Sequence, residues 1–146
     1  YLGAKKQNID INLISNHIGK KTNSGIRVDG ALKDEASKLF RGSIDFKNGS
    51  SGSVGAETEN VLLLGVEVRN KIIPLILCAE EDVNGSHGAT IGELDEETLF
   101  YYASRGIDKK NAEDIMTKGR IEVIIRKIND EDTEKLAEEQ LEEVLQ

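Results

Sequence analysis

The sequence predicts a mainly β chain: coils of a parallel β-helix over residues 1–93, then a small α-helical domain over residues 94–146. Three observations carry that expectation. Apolar alternations of period two recur at Ile9/Ile11, Ile26/Val28, Ile44/Phe46 and Leu62/Leu64, their first members at near-even spacings of 17, 18 and 18. A second series, Ile18, Ala36, Val54 and Ile72, falls between them at intervals of 18. From Asp95 onward the apolar residues recur at helical intervals instead. Period two puts both members of a pair on one face of a strand. Two such strands in each coil of about 18 residues would form a flattened solenoid, each coil burying its inward face by stacking on its neighbours. An antiparallel meander could use the same strands, but tight two-residue hairpin signals are scarce.

Corners are expected where small or left-handed-tolerant residues cluster: Asn23-Ser24-Gly25, Asn48-Gly49 with Ser50-Ser51-Gly52, and Asn84-Gly85. The chain opens on Tyr1 and its only methionine is Met116, which reads as a piece of a longer protein. Its first coil should then present an unpaired strand edge. Asp95 is a good N-cap, with Leu94 and Leu99 placed as a hydrophobic staple. Gly106 suits the left-handed position that ends a helix. Asp108 can cap a second helix carrying Ala112, Ile115 and Met116, kinked or ended at Gly119. Ile121, Ile124, Ile125 and Ile128 continue a helical stripe, although their β-branching also suits a strand. A last helix from about Asp132 would turn Leu136, Leu141, Val144 and Leu145 inward and its glutamates outward.

Composition narrows the function classes. The chain has 146 residues, 38% of them apolar and 14 of them glycine, which suits a thin, elongated core. Net charge is −8, with +3 in residues 1–40 and −7 in residues 129–146. No basic stripe tracks phosphates, so nucleic acid is not an expected partner. The single cysteine, Cys78, excludes an internal disulfide, and no Cys/His spacing suggests zinc. No apolar run approaches the ~20 residues of a membrane helix. With no secretory signal in view, a reducing, cytoplasmic setting is expected.

Few residues carry chemistry. There is no Gly-Lys-Ser/Thr loop, so the chain is not itself a P-loop ATPase. His17 reads as a turn or surface histidine, Cys78 as a buried small apolar residue, and Glu80-Glu81-Asp82 as solvated charge. His87 lies between Gly85 and Gly88, where the strand pattern ends. A neutral imidazole there is a good ligand for iron or zinc. The other reading is that it hydrogen-bonds a backbone group and closes the last coil.

The string Ser86-His87-Gly88-Ala89-Thr90, followed by Asp95-Glu96-Glu97, Leu99-Phe100-Tyr101 and Ser104-Arg105-Gly106, resembles the SufB/SufD family of iron–sulfur cluster assembly scaffolds. Leu32-Lys33-Asp34, Phe40-Arg41-Gly42, Asn60-Val61-Leu62-Leu63-Leu64 and Ile73-Pro74 resemble further family segments. The resemblance implies a right-handed parallel β-helix followed by C-terminal helices, and a scaffold rather than an enzyme. It implies pairing through the β-helix with a SufB/SufD paralogue or with itself. The helices would bind the ATPase SufC, and a cysteine desulfurase would supply sulfur indirectly. By the same resemblance, Phe100, Tyr101, Arg105 and Gly106 are expected at the SufC surface. His87 is expected at a transient iron–sulfur cluster at a subunit junction, with none bound stably by this chain alone. SufB-type chains place Glu after the matching histidine. Gly88 stands here, the SufD pattern, and no cysteine occupies the family's position. Two other classes compete: a left-handed β-helix acyltransferase with a catalytic histidine, which shares the short coil, and a purely structural solenoid. An apolar residue at every sixth position, which the acyltransferase needs, fails at Lys38 and Ser50.

Overall fold

The computed structural model describes residues 1–145. Seven strands lead the chain: β1 (Leu2–Gly3), β2 (Asn8–His17), β3 (Asn23–Lys33), β4 (Ser37–Phe46), β5 (Ser53–Leu64), β6 (Arg69–Cys78) and β7 (Val83–Glu93). They form two parallel sheets, ordered β1-β3-β5-β7 and β2-β4-β6. The chain crosses from one sheet to the other at each corner, so one coil of the solenoid is two strands. In-register partners are Asn8↔Ser37, Asn23↔Val54, Ser37↔Arg69 and Ser53↔Val83. They set a coil of about 30 residues, a usual length for a solenoid repeat.

That corrects the shorter coil expected. The 17–18 spacing counts steps from one sheet to the other, and Ile9 pairs with Lys38 rather than with Ile26 or Ile44. The strands are longer than their apolar pairs suggest because polar residues and glycines occupy other inward positions. On β5, Ser53, Gly55, Glu57, Glu59 and Val61 alternate as buried residues. The short coil on which the acyltransferase alternative rested is therefore absent among the described strands. Two expected corners also move. Asn23-Ser24-Gly25 and Asn84-Gly85 lie within strands. Corner backbones are instead left-handed at Lys5 (φ 56°), Lys21 (φ 54°) and Asp34 (φ 58°), with Gly49 (φ 93°) and Gly52 (φ 73°) as expected. Successive corners stack: the Lys5 N–H donates to Asp34 Oδ2 at 2.7 Å.

The core follows from this register. Inward residues Phe40, Ile44 and Phe46 of β4 are fully buried, as are Leu32, Ala36 and Val61. Each large apolar side chain so buried contributes roughly 1.5–3 kcal/mol. As expected of a first coil, β1 and β2 are edge strands, each paired on one side only.

Three helices follow: α1 (Glu96–Ala103), α2 (Lys109–Ile125) and α3 (Glu131–Leu145). Asp95 caps α1 by accepting the Thr98 N–H at 2.7 Å, and Asp108 caps α2 by accepting the Asn111 N–H at 2.9 Å. Gly106 (φ 77°) closes α1, with the Ile107 N–H donating to the Tyr102 carbonyl at 3.1 Å. α2 runs unbroken through Gly119, and its isoleucine stripe is helical to Ile125. It packs on β3, where Lys33 Nζ meets Asp114 Oδ1 at 2.7 Å. In α3 only Leu141 is buried, while Leu136 and Val144 are exposed, contrary to the inward stripe expected. Its apolar residues are too few for a wide stripe and pack mainly against α2. No described helix is long and apolar enough to cross a membrane.

Candidate functional site

The solenoid ends on an open coil. β6 and β7 are the last strands of their sheets, and each pairs on one side only. Register with the buried positions of β5 assigns Val83, Gly85, His87, Ala89 and Ile91 of β7 to the inward face. Register with β4 does the same for Asn70, Ile72, Pro74, Ile76 and Cys78 of β6. No residue of either strand is buried, because no further strand stacks on them. Gly85 lets the two strands close on each other: a Cβ there would sit 2.8 Å from Ile76 Cγ2.

His87 lies in this open layer, exposed, directly above Glu57 of the layer beneath. It makes no side-chain hydrogen bond among the described residues, so the expected alternative of a backbone contact closing the coil is not observed. Glu57 is 3% exposed. Its carboxylate fills the space above Gly42, where a Cβ would come within 2.2 Å of it. Burial pushes the Glu57 carboxyl above the usual range, while the nearby His87 opposes the shift. On the same strand, Glu59 pairs with Lys38 inside the solenoid, both side chains fully buried. The Tyr1 hydroxyl donates to Glu59 Oε1 at 3.0 Å. Burial pulls the Lys38 ammonium down, against the bond to Glu59.

Two sequence readings are overturned here. His17 is buried, its ring nitrogens 2.6 Å from Thr22 Oγ1 and 2.7 Å from Ser24 Oγ, and its ring 4.6 Å from that of Phe46. It is a core residue because its strand partner is the inward Phe46. Cys78 is exposed, although it too lies in register with Phe46. Its position faces inward, but nothing stacks beyond it.

A second surface lies on α1. Phe100 and Tyr101 are 74% and 53% exposed, and the Arg105 guanidinium lies 4.2 Å from the Tyr101 ring centre. Tyr102 is withdrawn, donating its hydroxyl to Met116 Sδ at 3.4 Å. Gly106, at the end of this surface, has open space where a side chain would project. The structure thus places Phe100, Tyr101, Arg105 and Gly106 on one helix and its cap, and His87 apart on the solenoid. Sequence reasoning missed Lys38, Glu57 and Glu59. Their signal was charge at inward, period-two positions of otherwise apolar strands. Among the described residues no group of three His, Cys, Asp or Glu side chains could hold a metal ion.

The chain is thus a parallel β-solenoid with an open last coil, a histidine in that coil and a helical segment packed on β3. A family model described as the SUF system iron–sulfur cluster assembly SufBD core domain matches residues 1–120. The chain belongs to that family, and its likeness within it is to SufD. It is 31% identical over 133 residues to the iron–sulfur cluster assembly protein SufD of Bacillus subtilis, covering 91% of this chain and 30% of that protein. To the Escherichia coli SufD it is 33% identical over 85 residues, or 58% of this chain and 20% of that one. A SufBD family protein of Pyrococcus horikoshii is 30% identical over 97 residues, covering 66% of this chain and 21% of that protein. The chain therefore spans about a third or less of the length of these relatives.

Proposed function

We propose that this chain is the part of a SufD-like scaffold at which an iron–sulfur cluster is assembled between subunits. The observation that carries the reading is the open last coil, with His87 at its inward face and no strand beyond it. Ile72, Ile76, Val83 and Ile91 are only partly covered there, and both backbone edges are unpaired. An apolar strand edge of this kind recruits another strand. A SufB/SufD paralogue, or a second copy of the chain, would complete the coil. The cluster is cargo, not a resident cofactor. One imidazole cannot hold it, so the other ligands come from the joining subunit. Thiolates are the usual ligands, and imidazole in place of one raises the potential while still binding.

The helices supply the second half of the reading. Phe100, Tyr101 and Arg105 are of the types that anchor interfaces, and α1 leaves them uncovered. They suit docking of the SufC-type ATPase. The cysteine desulfurase system acts indirectly, through the joined subunit, and the setting proposed is the cytoplasm. The decisive experiment is His87→Ala in the assembled complex. Cluster absorbance after anaerobic reconstitution should fall severalfold while SufC binding is unchanged. Equal yields would leave only a structural solenoid.

A further inference from the structure

Among the described residues, Glu57 is the inward charge of the solenoid with no ionic partner; Glu59 Oε2 also lacks a hydrogen bond, but that carboxylate is paired through Oε1. Lys38 and Glu59 neutralise each other, and His17 is held by two hydroxyls. Glu57 Oε2 is buried and makes no hydrogen bond. The carboxylate cannot retreat, because it already occupies the room that Gly42 leaves. A buried, unpaired carboxylate oxygen is costly unless a donor meets it. The side chain in register above it, one strand away on the same face, is His87. Adjacent strands lie about 4.8 Å apart, so an imidazole N–H on one can reach a carboxylate on the next. No competitor faces His87 across the coil: Gly42 and Pro74 are register partners, and the inward neighbours Ile72 and Ile76 are apolar.

We infer that Glu57 is the positioning carboxylate of His87: the two are not bonded in the structure, and a turn of the exposed imidazole lets Glu57 accept one of its N–H groups, which fixes the tautomer and turns the other nitrogen toward the open end of the coil. Histidines that ligate metals are commonly oriented by such a carboxylate. Glu57 touches no cargo itself. The consequence for cluster assembly rests on the reading of His87 given above, whereas the pairing itself does not.

The test is imidazole nitrogen NMR of the whole chain at a pH where both rings are neutral. There are only two histidines, so both are resolved, and His17 serves as the internal control. In the wild type His87 should show one protonated and one bare nitrogen. In Glu57→Gln, which keeps the fit over Gly42, both His87 nitrogens should move toward the average of two tautomers, with the His17 signals unmoved. The same two shifts for His87 in both proteins would overturn the pairing. Should the variant misfold, as disturbed His17 signals would reveal, the wild type alone decides: averaged His87 nitrogens there overturn the inference as well. Cluster yield separates the two claims. Loss of yield in His87→Ala without any tautomer change in Glu57→Gln retains the assembly role and removes the pairing. A tautomer change with full yield in His87→Ala does the reverse.

Discussion

Ile44 and Ile76 are neighbours in register, on the same inward face of the same sheet. Ile44 is fully buried, and Ile76 is half-buried. Phe46 and Cys78, the next inward pair of that register, repeat the contrast: one sealed, the other exposed. The two coils share strand type, length and alternation. What differs is whether another coil lies beyond. In a solenoid, burial is a property of the stack, and the end coil carries core-type residues with no core around them.

The sharpest way to break this comparison is to place the same charge at both positions. Ile44→Lys should abolish folding, because the fully buried site has no room for the longer side chain and no water for its ammonium. Ile76→Lys should fold, with loss of pairing through the open coil. Circular dichroism and sedimentation measure the two outcomes, and equal destabilisation would show that the end coil is as packed as the middle one. The next effect concerns the sealed interior. Lys38→Met strands the Glu59 carboxylate and should cost about 3–5 kcal/mol, most of it recovered in Lys38→Met/Glu59→Leu. Denaturant unfolding of the single and double variants checks this. Truncation gives a milder version of the first contrast. Ile44→Ala should cost about 2–5 kcal/mol, and Ile76→Ala no more than about 1 kcal/mol, as at a partly exposed site.

The smallest effect lies outside the solenoid. Asp95 accepts the Thr98 N–H, which holds its carboxyl below the usual range. A carboxyl lowered on folding contributes stability above its unfolded value and loses it as pH falls through the folded one. Asp95→Ala should therefore reduce helicity at neutral pH and match the wild type in acid, where the wild-type cap is protonated too. Far-UV dichroism against pH follows it. A difference that persists in acid would mean that the cap does not act through its charge.

Much of this fold is legible in residues alone. Period-two alternation announces strands, and Asp95, Gly106 and Asp108 mark helix ends, because these signals act between near neighbours in the chain. The motif around His87 names the family for the same reason: it is a local string. The coil length is less visible. Lys38, Gly42, Glu57 and Glu59 interrupt the apolar alternation, so strands of 10 and 12 residues read as short pairs.

Local pattern therefore dictates that strands come first and helices after, where the helices are capped, and which family string carries the histidine. What each inward position meets is settled by stacking. Stacking buried His17 and left Cys78 exposed, although both lie in register with Phe46. It set Lys38 against Glu59 and His87 above Glu57, pairs brought together from separate strands. The physical reason is that such contacts form across the two sheets, as Lys38 with Glu59, or between successive coils, as His87 over Glu57, and join residues far apart in the chain. Register across that distance is fixed by corner geometry and by the stacking of neighbours, neither of which a local pattern records.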